Sequence, residues 1–548
     1  YFGSRLASVK KDGTSIQSIT LLNESTFTAS VFIDCSYEGD FLPLAKISYT
    51  WGREGQSKYG ESLAGHIEYS AKHQFSVPVN PYDETGSLLP LVQERDDKQT
   101  GDADKKVQGY NFRLCMTQDS DNMVPWPKPD GYDPAAWELL RRYIAAKPDL
   151  TFEQLCHPFR LPKGKTDTNN NGPISTDFIG GSWNYPDATY DEQDRIWEEH
   201  ERYVKGFFYF LANDPGIPDA LRNEARSWGL AKDEFVDTDN WPHQLYVREA
   251  RRMVGSFVTT QKDLQIERFK EDSIGMGSYN SDSHNVQRFA VTASPLWEAG
   301  IPSVINEGDM QVGVRPYDMS YRSFVPQPSE CTNLLVGCTF SASHVAYSSM
   351  RMEPQYMIIG QAAGVAASMA IRGNTSVQAI DITSLQDTLK AQHAILHIED
   401  TIADFIALRK LSGIVMDTET AELVGNWRES GDMQPYVGYG YVHDSQVGDP
   451  ATYIRYRVTL PEAGRYEVRV SYSPHSNRAT NALYVVHHKD GATEHRINQR
   501  KKAGELAPFV SLGIYEFDGG NSGYVDLIST ADAGGYVIGD AAQWLPVK

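Results

Sequence analysis

NLLVGCTFSASHVAYSSMRMEPQYMIIGQAAGVAASMAIR, residues 333–372, contains an apolar run, a turn rich in Ser and His, and a helix. The run 334–336 predicts a buried strand. The helix repeats small residues at three- and four-residue spacing: Gly360, Ala363, Gly364 and Ala367. Because small residues leave a helix backbone uncovered, we expect a neighbour in close contact with this face. That neighbour is either part of the core or a ligand near the positive end of the helix, and the spacing alone favours the core.

A second segment, VFIDCSYEGDFLPLAKISYTWGREGQSKYGE at 31–61, changes this balance. The apolar run 31–33 ends in Asp34, and the following turn carries Tyr37, Glu38, Gly39 and Asp40. A parallel strand delivers polar groups to the carboxyl edge of a sheet in this way. The two segments together therefore favour a ligand site at a sheet edge.

The two segments resemble the FAD-dependent oxidoreductase family of bacterial polysaccharide-utilisation clusters, whose members carry D-x-S/T-Y-E-G-D, G-R-E and G-Q-A-A-G. The resemblance continues through YVREARRMVGSFVTTQKDL (246–264), DSIGMGSYNSDSHNVQR (272–288) and RPYDMSYRSFVP (315–326). It implies an α/β, Rossmann-like FAD-binding fold over residues 1–411, with a helical and loop cap at about 68–330. We expect the bend at 34–40 and the GQAAG helix to converge on the flavin, with no bulky side chain between them.

The family binds the nucleotide half of FAD with G-x-G-x-x-G, and the chain lacks this motif. The nearest string, Gly275-Met276-Gly277, has no third glycine and is interpreted as a loop. The resemblance then implies an N-terminally truncated flavoprotein, with a fold that is incomplete at its N-terminus.

The resemblance also implies roles for individual residues. A flavin accepts hydride, so a base must take the accompanying proton, and histidine suits this near neutral pH. We predict His344 as the general base, with Arg351 and His284 as further catalytic residues. A histidine that is hydrogen-bonded to the backbone of a buried turn is the alternative for His344. Arg248, Arg251 and Arg252 are interpreted as a solvated, salt-bridged face of a helix.

The predicted cofactor contacts come from the bend, the GRE motif, the SASH turn and the small-residue helix: Glu38, Gly39, Asp40, Arg53, Ser341, Ser343, Gly360, Gln361, Ala363 and Gly364. The predicted substrate contacts come from NSDSHNVQR and the preceding tyrosine: Tyr279, Asp282, Asn285 and Arg288.

The composition excludes some classes of partner. The 548 residues carry a net charge of −21, a pI near 5.1 and a mean hydropathy of −0.46. A phosphate-binding face needs a basic surplus, so we expect neither nucleic acid nor an anionic membrane as a partner. No apolar run approaches the length of a membrane span, about 18 residues. The family resemblance implies a periplasmic or secreted protein, and a cytoplasmic location stays open.

Five cysteines without C-x-x-C spacing indicate neither a disulfide scaffold nor a zinc site. Cys331 and Cys338 are expected to be free, buried thiols, and no metal is expected. Helical periodicity predicts helices at 194–212 and 219–228, and a third helix at 248–261. These helices are predicted to form the cap.

Short alternating strands replace helical patterns after about residue 411, as in an antiparallel β-sandwich. VGNWRESG (424–431), LPEAGRYEVRVSY (460–472), INQRKKAG (497–504) and GYVIGDAAQW (535–544) make residues 412–548 resemble the golvesin- or xanthan-lyase-type C-terminal domain. Asp540 is then a carboxylate that fixes the fold. Trp427, Tyr436, Tyr439 and Tyr441 suit either a glycan platform or the sandwich core, and the core is favoured.

Two functions follow as hypotheses. The first is a flavin-dependent oxidoreductase that transfers hydride from a carbohydrate-derived or other small polar substrate to FAD. The alternative is a non-catalytic glycan-binding or scaffold protein with a vestigial flavin fold. A third reading, polysaccharide lyase, rests on the C-terminal resemblance alone, and fold likeness does not establish chemistry.

Overall fold

The computed structural model describes residues 1–294, 297, 300–402, 405–521 and 523–547. The chain divides into two compact units, Tyr1–His397 and Ile398–Lys548. Within the described ranges, no helix combines the length and apolar content that a membrane crossing requires. All five cysteines are free, and Cys331 and Cys338 are buried, which confirms the prediction for these two thiols.

Two of the three helices predicted from periodicity are confirmed. The α-helices are α1 (Phe41–Leu44), α2 (Gln56–Tyr59), α3 (Glu138–Ala146), α4 (Tyr190–Asn213), α5 (Asp219–Arg226), α6 (Gln261–Gln265), α7 (His344–Met350), α8 (Glu353–Gly373) and α9 (Ile382–Ala391). The apolar stripe of α4 is buried in an aromatic core, where Phe208 stacks on Trp126 at 4.2 Å between ring centroids. Helices α4 and α5 correspond to the two confirmed predictions.

The strands of the first unit are short and form small sheets. They are β1 (Leu6–Asp12), β2 (Ser15–Leu21), β3 (Thr26–Thr28), β4 (Phe32–Asp34), β5 (Tyr49–Thr50), β6 (Met116–Thr117), β7 (Met123–Val124), β8 (Cys156–Arg160), β9 (Thr166–Asn170), β10 (Gly229–Ala231), β11 (Arg252–Met253), β12 (Ser273–Gly277), β13 (Ser281–Ser283), β14 (Gln287–Val291), β15 (Ser303–Glu307), β16 (Met310–Val312), β17 (Tyr317–Ser320) and β18 (Leu334–Val336). The region at about 68–330, expected to be a helical cap, contains β6–β17 as well as α3–α6.

Strands β4 and β18 join the two segments that the sequence singles out. They pair in parallel, with Leu334 opposite Phe32 and Val336 opposite Asp34. The Gly337 N–H then donates to the Asp34 carbonyl at 2.7 Å, immediately before the chain enters the Ser/His turn. Both strands therefore end at the same edge, and both following turns begin there.

The third predicted helix, at 248–261, is wrong. Residues 246–251 form no helix and have only an isolated bridge at Tyr246, and β11 follows them and pairs with β5. The interpretation of Arg248, Arg251 and Arg252 as a solvated face is also wrong, because their exposed fractions are 2 %, 4 % and 0 %. Carboxylates and carbonyl groups inside the unit bind all three guanidinium groups, so these charges can be buried.

The second unit contains antiparallel sheets, in agreement with the sequence. Its strands are β19 (Ile414–Asp417), β20 (Glu422–Val424), β21 (Arg428–Ser430), β22 (Tyr441–His443), β23 (Tyr453–Arg457), β24 (Gly464–Ser471), β25 (Ala482–His488), β26 (Gly491–Ile497), β27 (Phe509–Phe517), β28 (Tyr524–Ile528), β29 (Ile538–Gly539) and β30 (Ala541–Pro546). One sheet has the order β19-β30-β24-β27 and another β20-β23-β28-β25-β26. Both contribute side chains to one core that includes Trp544 and Tyr456. Tyr441 is buried and Trp427 packs against the core, as the core interpretation predicts.

Asp540 is fully buried between the ends of the second unit's strands. Its carboxylate accepts hydrogen bonds from the Val437 N–H at 3.1 Å and from the Ser471 hydroxyl at 2.7 Å. Burial and the neighbouring Asp417 raise the pKa of Asp540 well above its ordinary value. These contacts are those of a carboxylate that fixes the fold.

Candidate active site

The segment 246–252, YVREARR, crosses the interior of the first unit and sends its charged side chains to separate partners. Arg251 binds Asp40 of the bend at 2.7 Å. Arg252 binds Glu54 of the GRE motif at 2.7 Å, and its Nε donates to the carbonyl of Ala342 in the SASH turn at 3.0 Å. One buried segment thus connects the bend, the GRE motif and the SASH turn.

Glu249 lies at the centre of this network and holds His344. Its Oε2 lies 2.8 Å from Nδ1 of His344, and its other oxygen pairs with Arg252. Burial raises the pKa of Glu249, but His344 and Arg252 outweigh burial and hold this pKa below its ordinary value. A carboxylate can only accept here, so Nδ1 of His344 carries a hydrogen and donates it to Glu249.

His344 is held at its backbone as well as at its ring. It is the first residue of α7, and its N–H donates to Oε2 of Glu54 at 2.8 Å. Among the residues that the structure describes, Nε2 of His344 has no hydrogen-bond partner. The ring thus binds a carboxylate rather than the backbone, and its second nitrogen is free to accept a proton.

Gln108 connects His344 to a second histidine, His284. Its side-chain carbonyl accepts from the N–H of His284 at 2.9 Å, and its amide donates to Glu249 at 3.3 Å. The two predicted catalytic histidines therefore belong to one hydrogen-bonded network, although 60 residues separate them in the sequence.

His284 forms a second buried histidine–carboxylate pair. Its Nδ1 lies 2.7 Å from Oδ2 of Asp177, and Arg248 binds the other oxygen of Asp177 at 2.9 Å. Burial opposes ionisation of Asp177, but Arg248 and His284 outweigh it and lower its pKa to about 2. Burial and the Arg248 charge lower the pKa of His284, so its ring is neutral near pH 7.

Tyr279, Asp282 and Arg351 lie next to this pair. The Tyr279 hydroxyl donates to Asp282 at 2.9 Å, and Arg351 donates to the Asp282 carbonyl at 2.8 Å. Several buried polar atoms here have no partner in the described part of the chain: Arg351 Nε, Asp282 Oδ1, Ser281 Oγ, Ser283 Oγ and Asn285 Nδ2. Buried polar groups without partners cost free energy, so this group of residues is suited to a polar ligand.

Two residues that the sequence predicts as ligand contacts, Arg288 and Arg53, instead bind groups within the protein. Arg288 is almost completely buried, and its guanidinium donates to Asn306 at 2.9 Å and to two backbone carbonyl groups. Burial lowers the pKa of Arg288 to about 10. Arg53 is bound by Asp104, at 3.1 Å from Nε, and by Glu307 at 2.5 Å. Their donors are used within the protein, so neither contact with a ligand is supported by the geometry.

The bend is fixed by hydrogen bonds and close packing. Glu38 accepts from the Tyr185 hydroxyl at 3.3 Å, and burial and Asp40 raise the pKa of Glu38. Gly39 has φ +71°, and a Cβ there would lie 3.1 Å from Thr339, so this position favours glycine. The bend also lines a cavity of about 410 Å³ together with Asp34 and Ser36.

Both predicted serines stabilise the SASH turn. The hydroxyl of Ser341 accepts from the Gly255 N–H at 3.0 Å. Ser343 donates to Glu61 at 2.5 Å and accepts from the Ala346 N–H at 3.2 Å, which caps α7.

The small-residue face of α8 is open rather than packed. Gly360, Gln361 and Gly364 are exposed, and Ala363 is buried. A Cβ at either glycine would meet no atom within 4 Å, so the core contact that the spacing alone favoured is absent at these two positions, and their predicted contact with the cofactor stays a prediction. No described part of the chain is the close neighbour that the spacing predicts.

The bend and α8 do meet, but through aromatic side chains. Tyr37 and Tyr356 contact edge to face at 5.7 Å between ring centroids. The expectation that no bulky side chain lies between the two elements is therefore wrong. The rings fill the junction at the start of α8, one turn before Gly360.

Comparison with known families identifies the first unit. The FAD dependent oxidoreductase family matches residues 1–389, which is more than half of the chain. The chain belongs to this family. The Golvesin C-terminal domain matches residues 414–544, so both resemblances read from the sequence are confirmed.

The proteins that this chain is similar to include one curated protein and several solved structures. Xanthan lyase of Bacillus sp. (strain GL1) is 29 % identical over 143 residues, which are 25 % of this chain and 15 % of that protein. The structure of Paenibacillus xanthan lyase is 28 % identical, covers 24 % of this chain and 13 % of its own, and has a TM-score of 0.23. A family 35 carbohydrate binding module from Clostridium thermocellum is 18 % identical, covers 25 % of this chain and all of its own, and has a TM-score of 0.19.

The cofactor of the family can be tested against the residues around the bend. The oxygen atoms Asp34 Oδ2 and Thr339 Oγ1 are buried without partners in the described residues. The cavity beside the bend is lined by Asp34, Glu38 and Asp40, whose oxygens suit the hydroxyl groups of a ribityl or ribose unit and repel phosphate. These residues fit the hydroxyl-bearing part of FAD, and the bare glycine face of α8 can accept a flat group.

The sequence did not predict three residues of the network: Glu249, Asp177 and Gln108. Glu249 lies in YVREARR, where four of the five residues 248–252 are charged. Such a segment can be buried only if each charge has a partner, and this requirement is the one signal in the sequence that could have indicated Glu249. Asp177 and Gln108 stand in loops that have no distinctive pattern.

Proposed function

We propose that the chain is part of a flavin-dependent oxidoreductase that removes hydride from a carbohydrate-derived or other small polar substrate, with His344 as the general base. The observation that carries this proposal is the 2.8 Å contact between Nδ1 of His344 and Glu249, in a chain of the FAD dependent oxidoreductase family. The contact leaves Nε2 as the proton acceptor. When bound, FAD supplies the acceptor for the two electrons.

The buried network supports the gain of a proton by His344. Glu249 carries a negative charge beside Nδ1 and stabilises the imidazolium ion that forms when Nε2 takes the substrate's hydroxyl proton. Arg252 and Glu54 hold Glu249 and the backbone of His344 in place. A base that is fixed before the substrate arrives loses no free energy in becoming oriented.

The substrate would contact the group around Arg351. The unpartnered atoms of Arg351, Asp282 and Asn285 offer both donors and acceptors, as the hydroxyl groups of a sugar require. Nδ1 of His284 donates to Asp177, so Nε2 of the neutral ring can accept a hydrogen bond from a substrate hydroxyl group. Asp34, Glu38 and Asp40 would hold hydroxyl groups of the cofactor.

The proposal is tested by anaerobic flavin reduction in the loaded protein, with a panel of sugars and sugar alcohols as substrates. His344→Ala is expected to slow the bleaching of the flavin band by about 10²–10⁴-fold, and Glu249→Gln to shift its pH profile. His157→Ala, at an exposed histidine of β8, is the matched control and leaves the rate unchanged. A purified protein that binds no flavin, or a His344→Ala variant with the wild-type rate and pH profile, would overturn the proposal.

A glycan-binding role for the second unit is the alternative function. It is supported by the match to the Golvesin C-terminal domain and by the curated relative, whose name is xanthan lyase. Migration of the full chain in native gels with and without xanthan tests this role. Retardation in the xanthan gel alone is expected, and equal migration in both gels would exclude it.

A further inference from the structure

A second cavity is lined by Glu54, whose carboxylate also accepts the N–H of His344. It has a volume of about 680 Å³, which is in the range that binds small molecules. We call it the Trp51 pocket and define it by Trp51, Glu54, Lys58, Lys98 and Lys105. A neighbouring cavity of about 560 Å³ shares Trp51, Lys98 and Lys105 with it and extends to Trp183.

The charges in the Trp51 pocket are not balanced. Its lining carries the cations Arg53, Lys58, Lys98 and Lys105 and the carboxylates Glu54, Asp102 and Asp104. Arg53 pairs with Asp104 and, outside the lining, with Glu307, and Arg252 pairs with Glu54 and Glu249. Asp102 accepts a backbone N–H, and the described residues offer no carboxylate within 4.0 Å of the three lysines. The three lysines, which have no carboxylate this close, are therefore the groups of the pocket that an anion would contact.

Trp51 gives the pocket an aromatic wall. Lys105 lies over the Trp51 ring at 4.0 Å from the centroid, and its ammonium group donates to the Trp51 carbonyl at 3.3 Å. Burial and the nearby Arg252 lower the pKa of Lys105, so this ammonium gains from a negative partner. Trp51 is half-buried, and the part of its ring that Lys105 and Tyr49 leave uncovered, beside ammonium groups that lack a carboxylate partner, suits a ligand that has an apolar face and a negative charge.

The walls of the pocket are in close contact, and one of its lining residues contacts the candidate base. Arg53 and Asp104 pair through their backbones, with both N–H···O distances at 3.1 Å. Gly52 has φ +75°, and a Cβ there would lie 2.5 Å from the Asp104 carbonyl, so the two walls are in close contact. Glu54, which lines the pocket, also accepts the N–H of His344.

We propose that the Trp51 pocket binds a sugar unit that carries a negatively charged group, with the charge at Lys58, Lys98 and Lys105 and the sugar ring against Trp51. A carboxylate and a phosphate group share the chemistry that these ammonium groups recognise. That this sugar is the substrate of His344 rests on the proposed function, whereas its binding does not.

The test is calorimetric titration of the full chain with D-glucuronate, D-glucose 6-phosphate and D-glucose. At least one charged sugar is expected to bind about tenfold or more tightly than D-glucose, and its identity tells which anionic group is preferred. The double variant Lys98→Gln/Lys105→Gln is expected to remove this preference, and the corresponding Arg variants to keep most of it. Lys128→Gln, at an exposed lysine outside the pocket, is the matched control.

The inference is overturned if no sugar binds, if D-glucose binds as tightly as both charged sugars, or if Lys128→Gln weakens binding as much as the double variant. Flavin reduction separates it from the proposed function. Charged-sugar binding without flavin reduction by any sugar supports the pocket and contradicts the oxidoreductase. Flavin reduction by neutral sugars, at rates that the double variant leaves unchanged, supports the oxidoreductase and contradicts the charged sugar as the substrate of His344, whereas the titration alone decides whether the pocket binds it.

Discussion

Arg252 pairs with two buried glutamates that are far apart in the sequence, Glu54 and Glu249. Without it, two carboxylates would lack their cation in the interior, and breaking a buried ion pair costs about 3–5 kcal/mol. We therefore expect Arg252→Gln to lower the free energy of unfolding by about that amount, measured by urea titration with tryptophan fluorescence.

The matched control for Arg252→Gln is Arg195→Gln. Arg195 is half exposed on α4 and pairs with Glu192 at 2.6 Å. An exposed pair contributes less than about 1 kcal/mol, so this variant is expected to be nearly neutral. Equal losses in the two variants would show that the Arg252 network is not buried as described.

His200 makes the stability of the first unit depend on pH. It is fully buried in α4, where its ring contacts the Ile196 carbonyl at 2.7 Å, and burial lowers its pKa to about 4. Between about pH 6.5 and 4 the unfolded chain binds a proton that the folded chain does not, so stability is complete above this window and falls with falling pH. The expected loss is about 3 kcal/mol across the window.

Urea titrations at several pH values across this window test His200. His200→Gln cannot take up the proton, so we expect a less stable protein whose free energy of unfolding changes less with pH. His243→Gln, at an exposed histidine, should keep the wild-type slope. A His200→Gln variant with the full wild-type slope would assign the acid sensitivity to other groups.

Single residues of the site differ in how far the sequence could predict them. His344 follows a buried strand in a turn that opens a helix, and local patterns reveal such a position. Its partner Glu249 lies 95 residues away, and Asp177 lies 107 residues from His284. No local pattern encodes these distances, because only the folded chain brings the partners together.

At the scale of the element, α8 leaves its backbone exposed at Gly360 and Gly364. Gly364 has open space around it, and glycine within a helix costs about 0.5–1 kcal/mol relative to alanine. We expect Gly364→Ala to raise the free energy of unfolding by about this amount. Gly206→Ala on α4 is the contrast, because its Cβ would lie 3.1 Å from Trp137 and should destabilise.

Thermal melting of both glycine variants, monitored by circular dichroism, tests this difference. A Gly364→Ala variant that is less stable than the wild type would show that another group covers this face of α8 in solution. The same helix shows why the spacing alone favoured a core contact that is absent. Small residues at this spacing indicate that the helix backbone is uncovered, and they do not tell whether a core side chain or a ligand lies against it.

Amphipathic elements were predictable and the YVREARR segment was not. The stripe of α4 and the alternation in β23 and β24 arise from one buried face, which the sequence displays directly. In residues 246–252 the buried residues are charged, so the pattern is typical of a solvated helix. Burial became favourable only through partners such as Asp40, Glu54 and Asp177, which other parts of the chain supply.

At the scale of the whole molecule, the second unit has the contacts of an independent domain. Its core draws on both of its larger sheets, and β19 closes one of them by pairing Ile414 with Trp544. We expect residues 398–548, expressed alone, to melt cooperatively and to show the circular dichroism of a β-protein. Residues 431–548 are the matched control, because without β19 the strand β30 loses a neighbour and Trp544 loses part of its cover, so this shorter fragment should be unfolded or far less stable. A non-cooperative melt of the longer fragment would mean that the second unit depends on the first for its stability.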